Sequence, residues 1–108
     1  METMRKLEKN GIVFSYDDIE RICKKYKIIE VSIFGSSLRE DFKDDSDVDI
    51  LIEYSPNAEI SLFDEIDISD ELSELVNREV HLTDIEELKN PIRRKCILET
   101  REVVYENS

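Results

Sequence analysis

Apolar positions along this chain recur with periods that switch between a helical spacing and strict alternation. Ile19, Ile22, Cys23 and Tyr26 are three and four residues apart, which gives one stripe of a helix, and Ser15 or Asp17 can cap its start. IIEVSIFG, residues 28–35, is β-branched and aromatic and stops at Gly35, so it predicts a strand. SSLREDF (36–42) predicts a short helix that Ser36 or Ser37 can cap, and KDDSD a polar loop. In VDILIEY (48–54), Val48, Ile50 and Ile52 alternate with Asp49, Leu51 and Glu53, a second strand. Residues 60–77 predict a long amphipathic helix with Leu62, Phe63, Ile66, Leu72, Leu75 and Val76 as its core stripe. REVHLTD (78–84) predicts a third strand, with Val80 and Leu82 opposite Glu79, His81 and Thr83. DIEEL opens a helical turn that Thr83 or Asp84 can cap, and Pro91 takes the first position of a helix through IRRKCILET. REVVYE is either a frayed helix end or a short final strand. The order αβαβαβα predicts an α/β sandwich.

Composition narrows what such a domain does. With 108 residues the chain is one domain, 1–108. It has 27 acids against 15 bases, a formal charge of −12. The charge is concentrated, because residues 40–79 hold fifteen acids and only Lys43 and Arg78 as bases. Such a surface does not grip nucleic acid by its own field. It suits a basic partner, or a phosphorylated substrate that arrives with metal ions. No apolar run reaches the length of a membrane span, and METMRKLEKNG lacks the apolar stretch of a signal peptide, so no membrane is expected and the expected compartment is the cytoplasm. Cys23 and Cys96 form no C-x-x-C pair and are expected as buried free thiols.

The candidate chemistry lies between residues 35 and 49. Gly35 has no Cβ and allows close backbone approach. The predicted helix start after it offers unpaired N–H groups to phosphate, Ser36 and Ser37 add hydroxyl donors, and Arg39 lies one turn in, where a guanidinium reaches phosphate oxygens. Asp47 and Asp49, two apart on an extended segment, leave the same strand face. Two carboxylates so close repel unless a cation intervenes. Mg²⁺ held by hard oxygen ligands and completed by substrate phosphates accounts for the pair most economically.

The run IFGSSLREDFKDDSDVDILIEY resembles the signature of the DNA polymerase beta nucleotidyltransferase superfamily, in which G-S is followed ten residues later by D-x-D. Its short length and its ending, LVNREVHLTDIEELKNPIRRKCILETREVVYE, are similar to the minimal nucleotidyltransferases, the antitoxin partners of HEPN-type RNase toxins. The resemblance covers about residues 15–106, with the motif core at 28–84. It implies a small mixed sheet flanked by helices, the polymerase beta-like nucleotidyltransferase fold. It also implies Mg²⁺, with Mn²⁺ as an alternative, ATP as substrate, and transfer of AMP to a tyrosine hydroxyl of the toxin. Carried over by motif, Gly35 and Ser36 hold phosphates, with Ser37 and Arg39 beside them, and Asp47 and Asp49 hold metal and are the catalytic acids.

Two positions depart from the family pattern. Glu40 follows Arg39 where glycine is usual, and His81 stands in Arg78-Glu79-Val80-His81-Leu82 where a third carboxylate is expected. A neutral imidazole serves as a general base near pH 7 but is a poor ligand for Mg²⁺. His81 is therefore a weakened catalytic group, a relic at a silenced site, or an ordinary strand residue. The second of these implies an antitoxin that inhibits by binding alone. A third reading is a stand-alone transferase acting on RNA or a small molecule. The acids Asp64, Glu65, Asp67, Asp70, Glu71 and Glu74 are a wet helix face or a docking surface for a basic toxin. Arg93, Arg94 and Lys95 either touch nucleotide phosphates or, as expected first, favour the C-terminal half of the last helix, and Tyr54 and Tyr105 are expected to be exposed.

Overall fold

The computed structural model describes residues 6–9, 12–38, 40 and 46–107. Two short strands, β1 (Lys6–Lys9) and β2 (Ile12–Ser15), pair antiparallel as a hairpin and lead directly into α1 (Tyr16–Tyr26). The main sheet has the order β5-β4-β3-β6, where β3 is Ile28–Ile33, β4 is Val48–Tyr54, β5 is Val80–Asp84 and β6 is Glu102–Glu106. β3 runs antiparallel to both β4 and β6, whereas β4 and β5 are parallel, so the sheet is mixed. The parallel pair needs a crossover, and α2 (Leu62–Val76) supplies it. A 3₁₀ turn at Gly35–Leu38 follows β3, a second at Ile85–Glu87 follows β5, and α3 (Pro91–Thr100) leads into β6.

Each face of the sheet buries its own apolar set, because successive strand residues point to opposite sides. Val48, Ile50 and Ile52 of β4 pack with Phe14, Ile19, Ile22, Ile68 and Leu72 beneath α1 and α2. Leu51 faces the other way and packs with Phe34, Ile85, Leu88 and Ile97 beneath α3. Helix ends are closed locally. Ser61 and Asp64 form a capping box on α2, Asp84 and Glu87 another on the second 3₁₀ turn, and Asn90 caps α3, which Pro91 begins.

Several sequence expectations are corrected. The hairpin of β1 and β2 is absent from the αβαβαβα order, and the final REVVYE segment resolves as a strand. Ser15 occupies the N-cap position of α1 but makes no side-chain cap bond. The helix expected over 36–42 is a 3₁₀ turn ending at Leu38; Arg39 and residues 41–45 lie outside the described residues. In α2 the core stripe is Ile68, Leu72 and Val76, with Leu75 partly buried, while Leu62, Phe63 and Ile66 face solvent. Cys23 is buried, and that burial, with Glu20 nearby, pushes its thiol up to about 12. Cys96 is exposed rather than buried. Tyr105 is buried and the Tyr54 hydroxyl is enclosed without a hydrogen-bond partner among the described residues, so neither tyrosine is the exposed residue expected. Arg93, Arg94 and Lys95 fall in the N-terminal half of α3, and Arg94 reaches back to the carbonyl oxygens of Ile85 and Leu88.

Glu71 ties α1 to α2. Its carboxylate accepts from the Tyr26 hydroxyl at 2.7 Å and from Lys25 Nζ at 3.2 Å. The Tyr26 bond, partly offset by burial and reinforced by Lys25 and Arg21, holds the Glu71 carboxyl below its usual range. A depressed acid contributes stability that is complete above its unfolded pKa and fades as pH falls through the folded value. Glu71→Gln is expected to cost about 1 kcal/mol at pH 7. The deficit should shrink as pH falls below about 4.3, the ordinary glutamate value. Urea unfolding of both proteins from pH 7 to pH 3 tests this, and a deficit independent of pH would refute it.

Candidate active site

The antiparallel pairing of β3 with β4 decides where the site sits. Ile33 is opposite Ile50, so the end of β3 and the start of β4 lie at the same edge of the sheet. The turn that follows β3 therefore folds over the residues that begin β4. Two hydrogen bonds fasten it there. Phe34 N–H donates to the Asp49 carbonyl at 3.1 Å, and Asp49 N–H donates to Ser37 Oγ at 2.7 Å. Ser37 is fully buried, so its hydroxyl lies behind the turn and anchors the Asp49 backbone. The sequence reading did not anticipate that anchoring role, and a serine two residues after a glycine carries no specific signal for it.

Gly35 has φ +63°. A Cβ built on it would stand 3.0 Å from Asp49 Oδ2. The residue thus meets two demands that a side chain would resist, a left-handed backbone and close approach of a carboxylate. Ser36 follows it in the same turn. Gly35, Ser36 and the aspartates are therefore brought together, as the G-S…D-x-D spacing predicts.

Asp47 precedes β4 and Asp49 lies within it. Both carboxylates converge on one imidazole. His81 Nε2 is 3.0 Å from Asp47 Oδ2, and His81 Nδ1 is 3.6 Å from Asp49 Oδ1. The parallel register explains the contact, because Asp49 pairs directly with His81 on β5. Residues opposite each other on adjacent strands present their side chains to the same face. Glu79 precedes β5, and its carbonyl accepts from Val48 N–H at 2.9 Å. Among the described residues no trio of His, Cys, Asp and Glu side chains is arranged to hold a metal ion. Both carboxylates thus lie against the same imidazole ring, Asp47 at Nε2 and Asp49 at Nδ1.

The polymerase beta nucleotidyltransferase family model matches residues 17–108, most of the chain. This chain belongs to the polymerase beta nucleotidyltransferase family. Among relatives of this nucleotidyltransferase is the Methanocaldococcus jannaschii protein MJ1217, which bears the name of a protein adenylyltransferase. It is 41% identical over 76 residues, 70% of this chain and 76% of that one. Protein adenylyltransferase MntA of Thermococcus cleftensis is 36% identical over 82 residues, 76% and 78% of the two chains. A solved minimal nucleotidyltransferase superposes with a TM-score of 0.64 at 24% identity, over 82% of this chain and 86% of that one. A chain from a toxin–antitoxin structure with AMP-PNP also gives 0.64, at 14% identity, over 86% and 74%. At these identities the structural matches establish the fold. The mixed sheet with three helices is the polymerase beta-like nucleotidyltransferase fold expected from the resemblance. No helix among the described residues is long and apolar enough to cross a membrane.

Proposed function

We propose that this nucleotidyltransferase is an antitoxin that transfers AMP from ATP to a tyrosine hydroxyl of a HEPN-family toxin and so silences its RNase activity. The observation that carries this reading is the convergence of Asp47 and Asp49 beneath the Gly35 turn. The names of the adenylyltransferase relatives and the toxin–antitoxin assemblies of similar fold support the protein acceptor.

The acceptor oxygen forms a new bond to the α-phosphorus, and the bond from that phosphorus to the pyrophosphate oxygen breaks. The hydroxyl proton leaves for a base, and pyrophosphate departs. In this scheme the Gly35-Ser36 backbone cradles the β- and γ-phosphates, where only a residue without Cβ lets them approach. The resemblance assigns Arg39 to the same phosphate oxygens. Asp47 and Asp49 fit a hard divalent ion, Mg²⁺ or Mn²⁺, by donor type and by their shared focus. When bound, that ion neutralises charge on the phosphates and polarises the attacked phosphorus. His81 stands where a third carboxylate is expected, and in this reading its imidazole takes up the hydroxyl proton.

A second reading draws on the same His81 contact. An imidazole lying against both aspartates occupies the space of the cation, which suits an antitoxin that binds its toxin without modifying it. One experiment separates the two. The chain is incubated with ATP, Mg²⁺ and its cognate HEPN protein, and the toxin is weighed by mass spectrometry. Gain of one AMP supports transfer. Neutralisation without a mass shift, retained by Asp47→Ala/Asp49→Ala, supports occlusion. Under the transfer reading His81→Asp, which restores the third carboxylate, is expected to raise the rate about a hundred-fold, the lower end of what a well-matched general base contributes. A rate that falls in that variant would identify the imidazole as the better base.

A further inference from the structure

Leu62, Phe63 and Ile66 are 71%, 79% and 52% exposed. An α-helix advances about 100° per residue, so these three side chains share one arc of about 100°. The buried Ile68, Leu72 and Val76 occupy a different arc of α2, its middle about 130° from the middle of the patch. The apolar patch therefore adjoins the buried row at Leu62 and turns away from it through Ile66 and Phe63, and all three side chains are exposed. Contiguous exposed apolar groups rimmed by polar ones mark interaction sites in soluble proteins.

Two observations say what covers it. First, the patch runs into the active site. Ile66 lines a groove of about 410 Å³ with Glu65, Ser69, Leu82 and His81, and His81 is the residue against which both aspartates lie. Second, the rim has one sign. α2 carries Asp64, Glu65, Asp67, Asp70, Glu71 and Glu74 and no lysine or arginine, and only Glu71 of these is engaged by the bases of α1. Burial, with Glu87 and Asp84 nearby, holds the Glu65 carboxyl above its usual range, as expected where negative charge is crowded.

We infer that the Leu62–Phe63–Ile66 face of α2 is the docking surface for the protein acceptor, and that the acceptor meets it with apolar side chains ringed by lysine and arginine. This rests on the proposed transfer to a protein hydroxyl. An acceptor seated on α2 extends along the groove past Ile66 and reaches His81 and the aspartates with its hydroxyl-bearing segment. The acidic rim speeds encounter and sets orientation, while the apolar centre slows dissociation.

The test pairs Phe63→Ser/Ile66→Ser with Asp67→Lys/Asp70→Lys, all on the surface of α2. The readouts are affinity for the cognate HEPN protein, AMP transfer to it, and binding of Mg-ATP. The serine pair is expected to weaken toxin binding at least ten-fold, mainly through faster dissociation, and to leave Mg-ATP binding unchanged. The lysine pair is expected to slow association and flatten its salt dependence. Asp47→Asn serves as control and should keep toxin binding while losing transfer. If the wild type binds the toxin but transfers no AMP, the proposed reaction fails, and docking is still decided by the serine pair. Wild-type affinity in the serine pair, or no toxin binding by the wild type, overturns the docking surface.

Discussion

Asp47→Asn and Asp49→Asn are each expected to lower AMP transfer by about a thousand-fold or more, the scale on which metal-assisted phosphoryl chemistry depends on its anchoring ligands. The two carboxylates approach one imidazole at 3.0 and 3.6 Å, so neither is a spare for the other. An amide keeps the shape and one acceptor oxygen of each side chain but removes the charge that a divalent ion needs. The fold should survive. The Asp49 backbone stays anchored through Phe34 and Ser37 whatever its side chain, and relief of like-charge repulsion offsets the weakened contact with His81. Melting temperatures within about 3 °C of wild type are therefore expected, less than 1 kcal/mol of change in a domain of this size. The check is transfer at saturating ATP beside thermal unfolding of the same preparations. Either variant retaining a tenth of wild-type transfer would remove that aspartate from the active site.

The parts of the molecule legible in the sequence are those where a single period decides. β3 is β-branched and covered on both faces, and its polar Glu30 and Ser32 are buried with its apolar residues. β4 alternates with an extra buried position at Leu51. Pro91 marks the start of α3 and Asp84 caps the turn before it. α2 was misread for a geometric reason. Phe63 and Ile66 lie about 180° and 120° around the helix from the middle of the Ile68–Leu72–Val76 row, and Leu62 about 80°, so one stripe cannot contain all of them. Apolar content alone does not say which row meets the sheet. The N-terminal hairpin was missed although Asn10-Gly11 stands between its strands, a dipeptide suited to a two-residue hairpin turn.

The site was legible at the level of which segments meet, because a strand, a tight turn and an antiparallel strand must return to the same edge. What the spacing could not supply was lateral position. That depends on the register between β4 and β5, which are joined by the whole of α2. A parallel register is set by packing across the crossover rather than by a turn. The partnership of Asp49 with His81 is thus a tertiary fact. The same is true of Ser37, whose burial follows from the turn closing on Asp49 rather than from any feature of the serine itself.

Gly35→Val is expected to cost about 2–3 kcal/mol of stability and to reduce AMP transfer by more than a hundred-fold even where the protein is folded. The backbone at φ +63° places a side chain against its following carbonyl, at about 1–2 kcal/mol for any residue with a Cβ and more for a branched one. Space is also short, since the new Cβ would meet Asp49 Oδ2 at 3.0 Å. The carboxylate can rotate away, but that moves it from its shared focus with Asp47. Alternatively the turn can lift, which strains the Phe34–Asp49 and Asp49–Ser37 bonds. Either response spoils the proposed phosphate cradle or the proposed metal ligand, so activity should fall further than stability. A loss of 2–3 kcal/mol corresponds to a melting temperature lower by roughly 10–20 °C in a domain of this size. Gly35→Ala tests the same contact without the branch and should lie between valine and wild type in both measurements. Transfer by the alanine variant at the wild-type rate, with unchanged melting, would show that the turn and the aspartate do not depend on their close approach.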